Sequence, residues 1–174
     1  MGSGKSTVGR ELARRLGRKF IDMDREIEKE EKIKIGEIFD LFGEDYFRKK
    51  EYDLALKLYK TRNRVVSCGG GAIFNEKIKE LFLINGLIIC IYADEDMLLE
   101  RLKKLDTRPE LRSDGPLKEK IEEILEKKGD LYKKISIQLN TTNLTPKQAA
   151  EKIVDLLRTR QKILDQLKNQ YLEL

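Results

Sequence analysis

Gly2-Ser3-Gly4-Lys5-Ser6-Thr7 is the stretch on which the fold turns. It is the greater part of the phosphate-cradling signature GxxxxGK(S/T), and it runs straight into an amphipathic helix over 8–16. The chemistry of such a loop is concrete. Glycines let backbone N–H groups approach phosphate oxygens at a distance a Cβ would forbid. The helix behind the loop aims its positive end at the same oxygens. Lys5 adds a mobile cation for the β- and γ-phosphates, and the Ser6 hydroxyl is placed to ligate Mg²⁺. Ser3 and Thr7 complete the loop. A ligand-free Gly/Ser-rich helix start is the alternative reading of the same six residues.

Two parts of the usual pattern lie ahead of Met1: the first glycine of the signature and the apolar strand that leads into the loop. That strand would pair on both sides. A chain without it forfeits several ladder hydrogen bonds, each buried unpaired group costing about 1–3 kcal/mol. The expectation is therefore a natural protein that begins upstream of Met1, and a chain from Met1 that is much less stable than one carrying the strand.

Beyond the loop, helix and strand alternate, as in a parallel α/β sheet sandwiched by helices. Helices are expected over 7–16, 25–31, 35–42, 44–59, 75–84, 96–105 and 118–134. Short strands are expected over 20–22, 64–68, 87–92 and 135–139. Thr145, Pro146 and Gln148 read as the N-cap, first helical residue and capping-box partner of a last helix. The whole chain, 1–174, reads as one domain. Residues 107–116 are polar and punctuated by Pro109, Gly115 and Pro116, which suits a closing lid. Residues 158–174 form a helical extension. In it Ile163, Leu164, Leu167 and Tyr171 recur at helical spacing, a stripe that lies on the domain or meets a second chain.

Composition narrows the chemistry. The chain has no histidine, which removes histidine acid–base chemistry and ordinary zinc catalysis. Its net charge of +5 is spread along helices where Lys and Arg alternate with Glu, so no nucleic-acid stripe forms. Cys68 and Cys90 sit in apolar runs and read as small buried hydrophobes. With no secretion signal and no membrane-spanning run, the expected compartment is the cytoplasm.

Three further clusters carry chemistry. Asp22-Met23-Asp24 closes the first visible strand, where period-two spacing puts both carboxylates on one side. One can hold a metal's hydration shell while the other deprotonates a substrate hydroxyl; capping of the next helix is the plainer alternative. In Tyr46-Phe47-Arg48-Lys49-Lys50-Glu51, Glu51 can aim the planar Arg48 guanidinium at a carboxylate, or merely form a solvated pair with it. In Ser67-Cys68-Gly69-Gly70-Gly71-Ala72, three glycines after a buried strand let backbone pack against a ligand ring, or make a plain turn.

GSGKST, DMD, GEDYFRKKE, SCGGGA, TRPEL and TPKQAAEKIVDLL, in this order and spacing, resemble the shikimate kinase family over nearly the whole chain. The resemblance implies an adenylate-kinase-like fold with a five-stranded parallel sheet and a lid. It implies transfer of the ATP γ-phosphoryl group to the 3-hydroxyl of shikimate, with Mg²⁺. By that resemblance Gly2, Ser3, Gly4, Lys5, Ser6 and Thr7 hold the nucleotide, and Ser6 and Asp22 the metal. Asp24 binds the substrate hydroxyls and is the base. Arg48 pairs with the substrate carboxylate beside Gly69, Gly70 and Gly71. Arg101 flanks the adenine, and Arg108 reaches the phosphates from the lid. One departure stands out: Lys128 occupies the position of a second carboxylate-binding arginine, keeping the charge but not the planar fork. Two other readings remain open, a kinase of another hydroxy acid such as gluconate and a non-catalytic nucleotide-binding protein. A monomer is expected, with weak self-association through the last helix as the variant.

Overall fold

The computed structural model describes residues 2–103 and 117–172. Helix α1 (Lys5–Leu16) leads to strand β1 (Lys19–Asp22), then α2 (Met23–Glu31) and α3 (Ile35–Tyr59). Strand β2 (Arg64–Ser67) follows, with a 3₁₀ turn (Ala72–Phe74) and α4 (Glu76–Asn85) behind it. Then come β3 (Ile89–Tyr92), α5 (Glu95–Lys103), α6 (Leu117–Lys133), β4 (Ile137–Asn140) and α7 (Pro146–Leu172). The expected elements are present among the described residues, with ends shifted by at most two residues. The two helices anticipated on either side of Gly43 are one long element kinked there, at φ 79° and ψ 174°. The lid expected over 107–116 lies outside the described residues.

The sheet holds the four short strands expected of this chain. The five strands that the family resemblance implies are not present among the described residues. Four four-residue strands form two separate parallel pairs, β1 with β2 and β3 with β4. Asp22 lies opposite Ser67 in the first pair, and Tyr92 opposite Asn140 in the second. The two pairs nevertheless point the same way. Thr141, just past β4, donates its N–H to the Tyr92 carbonyl at 2.7 Å, and its hydroxyl lies 3.2 Å from the Ser3 carbonyl. Ser67, at the end of β2, has its Oγ 3.5 Å from that of Ser6. All carboxyl ends therefore meet at the glycine-rich loop, where ligands of open parallel sheets bind.

Apolar spacing explains how the helices cover these pairs. Ile27, Ile38, Phe47, Leu54, Ala55 and Ile78 bury one face of α2, α3 and α4 around Ile21 and Met23. A second cluster joins α1 to α7, with Val8 and Leu12 against Ala149, Ala150 and Ile153. The two alanines let the helices approach closely. Leu98, Leu102 and Ile121 join α5 to α6. Ile163 and Leu164, half of the stripe noted on the C-terminal extension, are exposed rather than laid on the domain. The Leu167 and Tyr171 side chains lie outside the described residues. Among the described residues no helix is long and apolar enough to cross a membrane.

Helix α7 starts as its sequence dictates. The Gln148 N–H reaches Thr145 Oγ1 at 3.3 Å, and the Thr145 N–H donates to Gln148 Oε1 at 2.9 Å. Thr145→Ala removes one half of this reciprocal cap. It should lower stability by about 1 kcal/mol, read as a lower urea midpoint with unchanged slope. An unshifted midpoint would mean that packing on α1 alone sets the start of α7.

Candidate active site

The loop end is built by backbone conformation. Gly4 is the N-cap of α1 with φ 87°, a left-handed value that a side chain would strain. No side chain caps the first turn of α1. Its leading N–H groups and positive dipole end therefore face the loop, as an anion site needs. Gly2 is also left-handed, at φ 68°, and a Cβ there would press on Leu98 and Leu102 of α5. Ser6 shares a corner with Ser67 and, through the β1–β2 register, with Asp22. Asp22 is buried and N-caps α2, yet its carboxylate makes no capping bond. A hydroxyl and a carboxylate in one corner fit Mg²⁺, which is held by one or two protein groups plus substrate phosphates.

One expectation about the acidic pair is corrected. Asp22 and Asp24 do not share a strand face, because β1 ends at Asp22 and Met23 already begins α2. Asp24 stands in the first turn of that helix, so it points along a helical and not a pleated path. This turn carries it to the glycine loop. A Cβ on Gly69 would sit 2.7 Å from Asp24 Oδ1 and 2.8 Å from Glu51 Oε1. Two carboxylates thus converge on one glycine. The position of Gly71 is equally tight: its Cβ would lie 2.5 Å from Arg48 Nη1 and 2.7 Å from Nη2. Each glycine is there because the functional group occupies the space a methyl would take.

Arg48 is held on two sides. Its Nη1 donates to Glu51 Oε2 at 2.6 Å, and its Nε and Nη2 donate to Glu44 Oε1 at 3.0 and 2.7 Å. Glu51 is 1% exposed, so the sequence reading of an ordinary solvated ion pair does not apply to it. Burial works against the Arg48 charge, but the bonds to Glu51 and Glu44 outweigh it and raise the guanidinium's affinity for its proton. The cation is fixed in place and in charge. Above the loop, the Tyr132 hydroxyl donates to the Gly70 carbonyl at 2.7 Å while its ring packs on Phe74.

Cys68 lies between these parts. Desolvation raises its thiol from 9.0 to about 12, helped by Glu51, Asp24 and Asp22 and opposed by the Lys5 ammonium. Asp24 Oδ1 and Glu51 Oε1 both stand against Gly69, the residue that follows Cys68. Cys90 is raised as well, mainly by burial, and Lys5 again opposes the shift. The thiolate is the reactive form, and a thiol raised to about 12 leaves about 10³-fold less of it at pH 8 or below. We expect Cys68 in the folded chain at pH 8 to be alkylated at least about 100-fold more slowly than in urea, by mass spectrometry. Cys68 is half-buried, so equal rates would mean that its surroundings do not hold the thiol protonated. The sign for stability follows: a pKa raised on folding stabilises below the unfolded value, and that contribution is lost as pH climbs from 9 towards 12.

The structure brings together Lys5, Ser6, Asp22, Asp24, Arg48 and the three glycines. Arg101 stands at the other edge, with Nη2 donating to the Thr141 carbonyl at 3.1 Å, one residue contact from Ser3. Lys128 is on α6, but its side chain lies outside the described residues, as does all of Arg108. Three participants escaped the sequence reading: Glu44, Tyr132 and Thr141. Only Glu44 had a local signal, its i,i+4 spacing to Arg48.

Comparison with known proteins agrees with this arrangement. The family model "Shikimate kinase" matches residues 1–158. The shikimate kinase of Thermodesulfovibrio yellowstonii is 38% identical over 154 residues, 88% of each chain. The structure of a shikimate kinase from Acinetobacter baumannii, solved in complex with shikimate, superposes with a TM-score of 0.86 at 32% identity, covering 92% of this chain and 89% of that one. A gluconokinase from Sinorhizobium meliloti 1021 superposes with a TM-score of 0.60 at 19% identity, over 95% and 92% of the two chains, a likeness of fold alone. With the loop, the acidic turn, the held arginine and the glycine run all in family order, the chain belongs to the shikimate kinase family.

Proposed function

We propose that this chain transfers the γ-phosphoryl group of ATP to the 3-hydroxyl of shikimate, with Mg²⁺. The observation that carries the proposal is the convergence of Asp24 and Glu51-held Arg48 on the glycine run that follows Ser67, whose hydroxyl meets Ser6 of the glycine-rich loop. ATP, when bound, supplies the phosphoryl group and its leaving diphosphate; the rest falls to the residues of the chain. The open first turn of α1, with Gly2, Ser3 and Gly4, cradles the phosphates, and Lys5 follows the charge as it shifts towards the leaving oxygen. Thr7 lies one residue further along the same turn. Ser6 and Asp22 hold the metal.

Arg48 binds the substrate carboxylate and so fixes the ring. Gly69, Gly70 and Gly71 admit the ring against bare backbone. Asp24 then accepts the proton of the attacking hydroxyl, which leaves the oxygen free to bond to phosphorus as the bond to the leaving diphosphate breaks. Lys128 is assigned to the same carboxylate as Arg48, Arg108 to the phosphates from the 107–116 lid, and Arg101 to the adenine, on sequence grounds. The working unit we propose is a cytoplasmic monomer, the C-terminal extension being the surface through which any self-association would run.

Gluconate lacks the ring that three adjacent glycines accommodate, which favours shikimate over it. A coupled assay of ADP release should show Mg²⁺-dependent turnover with shikimate and none with gluconate. Turnover with gluconate and none with shikimate would overturn the assignment of substrate. ATP binding without turnover on either would favour the non-catalytic reading.

A further inference from the structure

Tyr132 has no step in the mechanism above, although its hydroxyl reaches across 62 residues to the glycine run. That run has little of its own to fix it. None of Gly69, Gly70 and Gly71 takes a left-handed φ. Glycine also loses more conformational freedom on ordering than any other residue. The 3₁₀ turn behind the run meets two of its carbonyls. The Ala72 N–H donates to the Gly69 carbonyl at 3.3 Å, and the Phe74 N–H to the Gly71 carbonyl at 3.1 Å. The carbonyl between them, that of Gly70, accepts from the Tyr132 hydroxyl at 2.7 Å. A planar trans peptide holds its C=O and N–H in opposite directions. The same bond therefore turns the Gly71 N–H away from Tyr132. A Cβ on Gly70 would lie 3.7 Å from the Tyr132 hydroxyl oxygen, so the tyrosine covers that side of the glycine as well.

The tyrosine is itself held at three points. It stands in the last turn of α6, where the Ile135 N–H donates to its carbonyl at 3.1 Å. Gln138 of β4 donates to the Lys133 and Ile135 carbonyls at 2.9 and 3.0 Å, which ties this helix end to the strand. The ring packs on Phe74 with centroids 4.9 Å apart, on the turn that follows the run. A side chain fixed at backbone, ring and tip can set the geometry of what it touches. Lys128, given to the substrate carboxylate on sequence grounds, stands one turn earlier in the same helix. We propose that Tyr132 is a positioning residue of the acceptor site. Its hydroxyl holds the Gly70–Gly71 peptide in the orientation that receives the substrate ring, and it joins the end of α6 to the glycine run. It acts through backbone and touches no reacting atom. This inference rests on reading the run as the seat of the substrate. The plainer account is a half-buried phenol that has found a partner for its hydroxyl.

Tyr132→Phe keeps the ring and removes the donor. The KM for shikimate should rise about tenfold, the worth of one net hydrogen bond. The kcat should stay within about threefold and the KM for ATP should not move, as when binding common to ground and transition states is lost. Thr145→Ala, which weakens the cap of α7 away from the site, is the comparator for a loss of stability alone. It should leave both KM values at those of the parent. In the ligand-free protein, amide exchange read by NMR at Ala72 and Phe74 should quicken about tenfold in Tyr132→Phe, beyond any change in Thr145→Ala. A KM for shikimate in Tyr132→Phe equal to that of Thr145→Ala would overturn the proposal and leave the plainer account. So would exchange that does not quicken. An equal rise in both KM values would mean a general loosening and not a positioned glycine run. If the parent neither binds nor turns over shikimate, the proposed function fails instead, and exchange at Ala72 and Phe74 still decides whether Tyr132 holds the run.

Discussion

Asp24→Asn should lower kcat by about 10²–10⁴-fold while leaving ATP affinity close to that of the parent, because the change removes a proton acceptor and keeps the shape. Three observations support this outcome. Asp24 is in the first turn of α2, where the helix dipole favours the ionised carboxylate a base must be. Its Oδ1 occupies the space beside Gly69, on the side of the glycine run assigned to the substrate ring. It is Asp22, not Asp24, that lies opposite Ser67 in the corner with Ser6, so nucleotide and metal contacts should survive the loss of Asp24. Kinetics with shikimate varied at saturating ATP, with nucleotide affinity measured separately by calorimetry, would resolve the two effects. An Asp24→Asn enzyme with near-normal kcat would take Asp24 out of the base role. A drop in ATP affinity equal to the drop in kcat would move it to the nucleotide side.

Much of this site was legible in the chain because its pieces are local. The glycine-rich loop, its helix and the capping box of α7 each lie within a few consecutive residues, and their hydrogen bonds close over short loops. The Arg48–Glu51 pair was legible as spacing. Its burial was not, since the apolar cover comes from other elements. The misplaced acidic pair shows a different limit. Asp22 and Asp24 alternate correctly for a strand, but the four-residue strand ends at Asp22 and α2 begins at the next residue. Tyr132 bonding to Gly70, and Thr141 near Ser3, span 62 and 138 residues. Contacts of that range leave no periodicity or motif in either partner segment. The sheet itself is the extreme case. Which strand edges meet is settled by long-range packing, and four short apolar runs are compatible with one sheet or with two ribbons.

Arg48→Ala should combine two large losses that can be measured apart. The first is in binding. A guanidinium fixed by Glu51 and Glu44 is pre-organised, and one charge-assisted bond to a carboxylate is worth about 1.5–3 kcal/mol. Losing a bidentate contact should raise the KM for shikimate by about 10²-fold or more, with the KM for ATP little changed. The second loss is in folding. Glu51 is almost wholly buried, and Arg48 is its cation at 2.6 Å. Removing one member of a buried pair leaves an uncompensated charge, at a cost of about 3–5 kcal/mol; the Arg48 side chain is 27% exposed, so water relieves part of that and the lower end is expected. The double variant Arg48→Met with Glu51→Leu removes both charges. It should regain most of the stability in equilibrium urea unfolding and none of the affinity for shikimate. Gly71→Ala offers an independent check, because its methyl would fall 2.5 Å from Arg48 Nη1 and push the guanidinium aside without touching its charge. A displacement of about 1 Å at a positioning group can cost about 10²-fold in kcat/KM. If Arg48→Ala and Gly71→Ala both keep the parent's KM for shikimate, the substrate carboxylate is anchored elsewhere, and Arg48 serves only to neutralise Glu51.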